Sequence, residues 1–470
     1  MAALLASGAV AASAAAIEAR PAQLTFGFER WQLPANEALG ALGMSYAVEL
    51  APGWRLGPAL YGAATGRRGG LFTWGLEGQR HWRLAERWDL VAGLYVGGGG
   101  GAAAPVGSGL MLRPHVDLLA DLGGWQAGLS ASRVDFPDGA IGSTQLGLLV
   151  SLPDRFVFAS AGRHGRTVAF DDASPIRADR VSLTTGHHAQ GEGGEQAFGQ
   201  VGIRLDHAVG PGLWATAEAA GAARGGADGY AEMLVGALAL WPAGDPMLRV
   251  GGRAALGLGG GGGVPAGGGL IAKLALAAEL DLGAPWVLGL EAGQAAATSG
   301  AWRSPYAQLA LGARLGAAGP GAVLHEVEWA LSVQHYGRAQ RKQGRAGALD
   351  TIGLRFSRSL SDRLYLTGQA HGAVTGGAGA YSAGLVGLGV TTRLADDGAW
   401  RGGAEALVGA AGGGGVANGG GALLQPMVWL ARELGPHQRL RVGVGYLKSL
   451  RGELSTPVAE LSWGLAFGRP

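Results

Sequence analysis

With 470 residues, 37 basic and 35 acidic side chains and no cysteine, the chain excludes a disulfide framework and a thiolate metal site. Glycine supplies 90 residues and charged residues only 15%, yet 48% are hydrophobic, which excludes a disordered chain; the triplet period of collagen is missing as well. No apolar run reaches the ~20 residues of a membrane-spanning helix, and no basic stripe points to nucleic acid. What remains is a chain of strands with glycine inside them as well as in the turns.

Taken from its start, residues 1–22 read as the later part of a secretory signal. The apolar stretch Ala2 to Ala12 is followed by small residues suited to cleavage near Ala14 to Ala19, though no basic residue precedes it. Next comes a unit that recurs. GMSYAVELAPGWRLGPALYGAATG from Gly43 parallels VGIRLDHAVGPGLWATAEAAGAARG from Val201 and IGLRFSRSLSDRLYLTGQAHGAVTGG from Ile352. Each is followed by a glycine run, beginning at Gly97, Gly259 and Gly412, so the repeat is roughly 150 to 160 residues long. The units divide as 23–154, 155–320 and 321–470.

Inside each unit the period is two. Ile352, Leu354 and Phe356 alternate with Gly353, Arg355 and Ser357; Leu440, Val442, Val444 and Tyr446 alternate with Arg441, Gly443 and Gly445. One face is apolar and the other small or polar, as in a strand between lipid and a wet lumen. About eight strands per unit, each of ~9–12 residues, predict a single transmembrane antiparallel up-and-down β-barrel of about 24 (24–26) strands. An even number places both termini on the periplasmic side. Closure satisfies every strand edge, as a bilayer demands. Trp54, Trp88, Trp125, Trp214, Trp241, Trp286 and Trp400 all lie beside turn signals and are the expected interfacial girdle.

The last strand, AELSWGLAFGRP, resembles the closing strand of bacterial outer-membrane proteins. Leu461, Trp463, Leu465 and Phe467 share a face there, with Gly468, Arg469 and Pro470 following the aromatic. The resemblance is to the class, and no particular family emerges. It implies insertion into the outer membrane by the assembly machinery, with lipid and lipopolysaccharide as the surroundings.

No catalytic constellation is visible. There is no G-x-S-x-G frame and no H-E-x-x-H, and the glycine runs lack the Lys-Ser/Thr of a phosphate loop, so no enzyme activity, metal or cofactor is expected. The glycines are expected to bend strands, in hairpins at the outer rim a third of the circumference apart. One segment departs from the repeat: Thr167 to Gln196, with Asp171, Asp172, Asp179, His187 and His188, expected as an external loop that contacts a partner. Glu49, Arg204, Asp206, Gln308, Arg314, Arg355 and Arg441 are expected to line the lumen. A barrel of 24 strands would be on the order of 45–50 Å across. That width predicts a channel for a large exported substrate (polysaccharide, protein or filament), gated by a loop, a plug or a periplasmic partner. The alternatives are a diffusion porin for small solutes, narrowed by loops, and a structural or adhesin-type anchor of three filled eight-strand barrels. The Gly/Ala-rich inner faces argue against the last, because they would leave small barrels hollow.

Overall fold

The computed structural model describes residues 17–170, 174, 177–191, 196–316, 319–394 and 399–470. Strands dominate it, and they close eight at a time. The first barrel runs from Glu18–Gln32 to Gly142–Ser160, and these two strands pair antiparallel from Glu18↔Phe158 to Glu29↔Gly147. The second runs from Arg180–His188 to Arg303–Arg314, closed by Arg180↔Arg314 through His188↔Tyr306. The third runs from His325–Ala339 to Ser455–Arg469, closed by His325↔Arg469 through Tyr336↔Val458. The expected single barrel of about 24 strands is therefore wrong: the chain forms three eight-strand barrels. The first and third share one short bridge, Phe467↔Ser160 and Gly468↔Ala159, which joins their sixteen strands into one sheet.

The repeats gave the unit, but period-two patterning cannot say where a sheet closes. Pairing the first and last strand of each unit satisfies both edges locally, and the inside of a small barrel can be filled by its own side chains. The outer faces carry the apolar rows. Leu146, Leu148, Leu274 and Leu276 are 73, 64, 68 and 78% exposed. This is the inverse of a soluble core and matches lipid-facing strands. Leu276→Arg, on a face turned to the bilayer, is expected to lower the folding free energy in vesicles by ~2–4 kcal/mol. A urea titration of the reconstituted protein checks it, with a shift below a few tenths of that ruling out a lipid-facing position.

All chain passages between barrels lie at the end where the first strand begins. The first strand itself starts at Glu18, within the stretch read above as signal-like. Linker strands Thr167–Phe170 and Gly319–Val323 pair with each other, and Phe170, Ala322 and Leu324 pack with Val157 and Ala159 of the first barrel. The expected external loop Thr167–Gln196 is thus three different things. It holds an interbarrel linker, the first strand of the second barrel, and a connection at the opposite end. Arg180–His188 is a barrel strand although its flanking charges and paired histidines resemble a loop.

The glycine-run hairpins do lie at the end opposite the termini, but they are not spaced around a rim. They meet. Gly69 N–H donates to Gly267 O at 2.9 Å, joining the first and second barrels, and Gly379 N–H donates to Gly107 O at 3.2 Å, joining the third and first. A Cβ on Gly412 would fall 2.2 Å from the Gly229 backbone, between the third and second. Lys342 and Asp228 add an ion pair of 2.9 Å across that same contact. Only backbone without side chains can approach backbone this closely. The glycines therefore serve barrel-to-barrel packing, not only bending.

Candidate functional site: three filled lumens and the chamber between them

Each lumen holds a buried network of ion pairs. In the first barrel Arg113 pairs with Glu29, which also accepts from Trp31 Nε1 (3.2 Å) and Ser132 Oγ (2.9 Å), while Tyr61 donates to Glu77 at 2.9 Å. In the second, Arg253 lies between Glu218 (3.0 Å) and Glu291 (3.3 Å), Arg204 pairs with Asp206 (3.0 Å) and with Glu291, and Lys273 pairs with Glu232. In the third, Arg441 pairs with Glu405 at 2.5 Å and Glu460 at 3.3 Å, and Arg355 and Arg439 converge on Glu328. Charges removed from water are tolerated only when paired and hydrogen-bonded in this way.

Above each network, toward the glycine end, sits an apolar cap. Trp31, His188 and Tyr336 occupy the same place, the inward position near the end of the first strand of each barrel, and all three are fully buried. Around them lie Tyr61, Tyr95 and Phe136; Phe198, Tyr230 and Trp302; and Tyr381, Leu349 and Leu447. His188 stacks on Phe198 with ring centroids 4.7 Å apart.

The expectation that glycine and alanine would leave small barrels hollow fails for a steric reason. Inward glycines make room for large neighbours. A Cβ at Gly43 would lie 2.4 Å from the Tyr61 ring, at Gly353 2.7 Å from His371, and at Gly403 2.4 Å from Trp429. Small and large alternate so that the ring of one strand covers the glycine of the next. Strand-by-strand composition shows only the glycines.

The residues singled out in the sequence fall in different places. Glu49 is half-buried at the terminal end of the first barrel, opposite Arg55. Arg204, Asp206 and Gln308 are buried inside the second barrel, and Arg314 sits at that barrel's mouth, paired with Asp281. Arg355 and Arg441 are buried in the third. No single lumen brings them together. Asp171 and Asp172 lie outside the described residues. Asp179 accepts from His207 Nδ1 at 2.7 Å and from the Ala208 N–H at 2.8 Å, fastening the linker to the second barrel. His187 points outward and His188 inward, as extended neighbours must. Among the described residues no group of three His, Asp or Glu side chains is arranged to hold a metal ion.

The seven tryptophans all lie at the terminal ends of their strands. Six are exposed: Trp54, Trp88, Trp125, Trp241, Trp286 and Trp400. Trp214 turns into the mouth of the second barrel, where Arg180 lies 4.7 Å above its ring. Six of the seven are thus placed on the outer surface at one end of the barrels.

What sequence reading missed is the space outside the barrels. The apolar faces that look toward the middle of the three barrels enclose a chamber of about 2630 Å³. Its walls include Tyr46 and Trp74 of the first barrel, Leu205 and Leu309 of the second, and Trp329 and Phe356 of the third. The meeting glycine loops close one end, with Gly70, Ala102, Gly229, Gly261 and Gly413 among the lining residues. Arg68 ties that roof together. Its guanidinium donates to both carboxylate oxygens of Glu37 (2.8 and 2.6 Å) and to the Ala102 and Ala103 carbonyls (3.0 and 2.9 Å), and it holds the Glu37 carboxyl below its usual range. The chamber's walls are mostly carbon, a surface suited to apolar matter. The signal for it was present in the sequence: at Gly97–Gly101 and Gly412–Gly415 both faces of the chain are small, which breaks the lipid-facing row where barrels touch.

No family model and no curated protein matches the chain. Among solved structures it is similar to the outer membrane protein opdK of Pseudomonas aeruginosa, at 10% identity over 96% of this chain and 99% of that one, with a TM-score of 0.25. It is also similar to OccK8 (OprE) of the same organism, at 9% identity over 97% and 98%, TM-score 0.23, and to OccAB3 of Acinetobacter baumannii, at 9% over 96% and 100%, TM-score 0.21. Scores this low carry no argument about path or solute. On its own strands, the chain is a protein of three closed β-barrels whose outward leucines match a lipid-facing surface.

Proposed function

We propose that the protein takes up small apolar solutes, which occupy the chamber between its barrels. The observation that carries this reading is the chamber itself: its walls are mostly apolar, and it lies between three barrels whose own lumens are filled. A large exported substrate has no path here, because eight-strand barrels packed with ion pairs and aromatic rings offer no wide lumen. Small solutes fit the geometry, and apolar ones fit its chemistry. Lipid surroundings and insertion by the outer-membrane assembly machinery belong to the same proposal. No plug protein is required, since side chains do that work.

Narrowing the chamber tests it. The double variant Leu205→Trp and Leu309→Trp adds two indoles to walls that are 43 and 47% exposed to the space. Cells expressing the native protein are expected to take up an apolar fluorescent probe such as N-phenylnaphthylamine faster than cells without it, and the variant is expected to lose most of that increase. Equal rates for all three strains, with normal amounts of folded protein, contradict the reading. They favour the structural one, in which three filled barrels act as an anchor.

A further inference from the structure

Three side chains that are far apart in the sequence meet at the terminal end of the third barrel. The strand Gly142–Ser160 runs into a 3-10 turn, Ala161–Arg163, and His164 follows it. Gly165 N–H donates to Leu324 O at 2.8 Å and Leu324 N–H to Arg166 O at 3.0 Å, which holds this segment beside the start of the third barrel. Ser359 ends the strand Gly347–Ser359, and Asp362 stands in the turn before Leu364–Ala373. In that turn Ser361 Oγ accepts from the Leu364 N–H at 3.1 Å.

Ser359 Oγ lies 3.0 Å from His164 Nδ1, and His164 Nε2 lies 3.5 Å from Asp362 Oδ1. The Glu326 N–H donates to the same Ser359 Oγ at 2.8 Å. With that lone pair engaged, the hydroxyl proton turns to His164 Nδ1, and the proton of the neutral ring sits on Nε2, facing the carboxylate. Nucleophile, base and carboxylate in this order are what activates a serine. Ser359 is half-buried and the His164 side chain 19% exposed, so neither is sealed in a core. The chamber is adjacent. Arg358 and Leu360, on either side of Ser359, are among its lining residues, as is His325, whose Nδ1 donates to the Ser359 carbonyl at 3.0 Å.

We infer that Ser359 is a nucleophile, with His164 as its base and Asp362 orienting the ring, that hydrolyses carboxylic esters whose apolar acyl chain lies in the chamber. The acyl class rests on the proposed function; the nucleophile does not. Ser359 Oγ bonds to the carbonyl carbon as its proton passes to His164 Nδ1, the ester C–O bond breaks, and the leaving alcohol takes that proton. Water then attacks the acyl carbon and gives a proton through His164 back to Ser359, and the carboxylic acid leaves. Ester and water become acid and alcohol, with no redox partner. No sequence frame announces the set, because His164 and Ser359 stand 195 positions apart.

The experiment treats the folded full chain with diisopropyl fluorophosphate, maps the labelled residue by peptide mass spectrometry, and follows hydrolysis of p-nitrophenyl butyrate in parallel. The label is expected on Ser359. Labelling there and hydrolysis are expected to vanish in Ser359→Ala and to slow about a hundredfold in His164→Gln. Asp362→Asn, at an exposed turn position, serves should either of these fail to insert, and is expected to slow both reactions about tenfold. A heat-dependent shift in gel mobility verifies folding of each. A group that only ties the linker to the barrel leaves Ser359 unlabelled. An unlabelled Ser359 in the folded native protein, or hydrolysis unchanged in folded Ser359→Ala, overturns the inference. The Leu205→Trp, Leu309→Trp variant separates it from the chamber: labelling retained with ester hydrolysis lost supports both readings. Labelling and hydrolysis both equal to the native protein's leave the nucleophile standing and overturn the chamber as the seat of the acyl chain.

Discussion

Arg253→Ala is expected to destabilise the second barrel by ~3–5 kcal/mol. Its side chain is fully buried and bridges Glu218 and Glu291 at 3.0 and 3.3 Å. Alanine leaves two carboxylates facing each other inside a filled lumen. Glu291 retains Arg204, but Glu218 keeps, among the described residues, the Gln308 amide at 3.1 Å. Replacing the set together, Arg253→Met with Glu218→Leu and Glu291→Leu, removes the charges along with the partner and is expected to recover most of the loss, because an apolar filling of similar volume is about as stable as a buried ion network. Urea unfolding of the reconstituted chain, followed by tryptophan fluorescence, measures both. A loss below ~1 kcal/mol for the single change would show that water reaches this lumen.

Gly412→Val is expected to separate the second and third barrels without opening either one. The added Cβ would lie 2.2 Å from Gly229, so the two backbones must move apart. Overpacking of this kind costs ~1–3 kcal/mol. The chain has no native cysteine, so contact can be read with Lys342→Cys and Asp228→Cys, which replace an ion pair across the same junction. Joined by a short bis-maleimide, this pair is expected to cross-link about tenfold less when Gly412 is Val. The gel mobility of the folded barrels stays unchanged. Undiminished cross-linking would mean that the glycine run has another purpose. Gly70 is the less clean choice: an added Cβ would lie 2.2 Å from the Gly261 nitrogen, but Gly70 also holds φ +97°, so a side chain there strains the backbone as well.

The repeat unit, the strand class and the outward apolar rows were legible because each is written locally. Alternation such as Ile352, Leu354, Phe356 needs only the pleat to be decoded. Closure was not legible. It depends on whether residues near Glu29 meet those near Gly147 within the same unit, a pairing that leaves no mark on either strand alone. Lumen filling failed for a related reason. Gly43 and Tyr61 sit on neighbouring strands, and only their cross-strand register shows that the ring lies over the glycine. The tryptophans divide the same way. Six are exposed beside turns as their flanking residues suggest, whereas Trp214 answers to Arg180, which opens a strand with little apolar alternation of its own. The chamber belongs to none of the strands singly. It arises where three sets of lipid-facing residues turn toward each other, and the glycine runs fix where that happens.

Single-channel recording in a planar bilayer tests most directly whether the chain is three sealed barrels around an apolar space. Ion networks under aromatic caps block each lumen, and a carbon-walled chamber does not wet. The purified protein, shown by mobility to be folded and inserted, should therefore give no steady ohmic steps. Uniform, large and weakly selective steps would contradict the sealed barrels and return the chain to the wide-pore architecture.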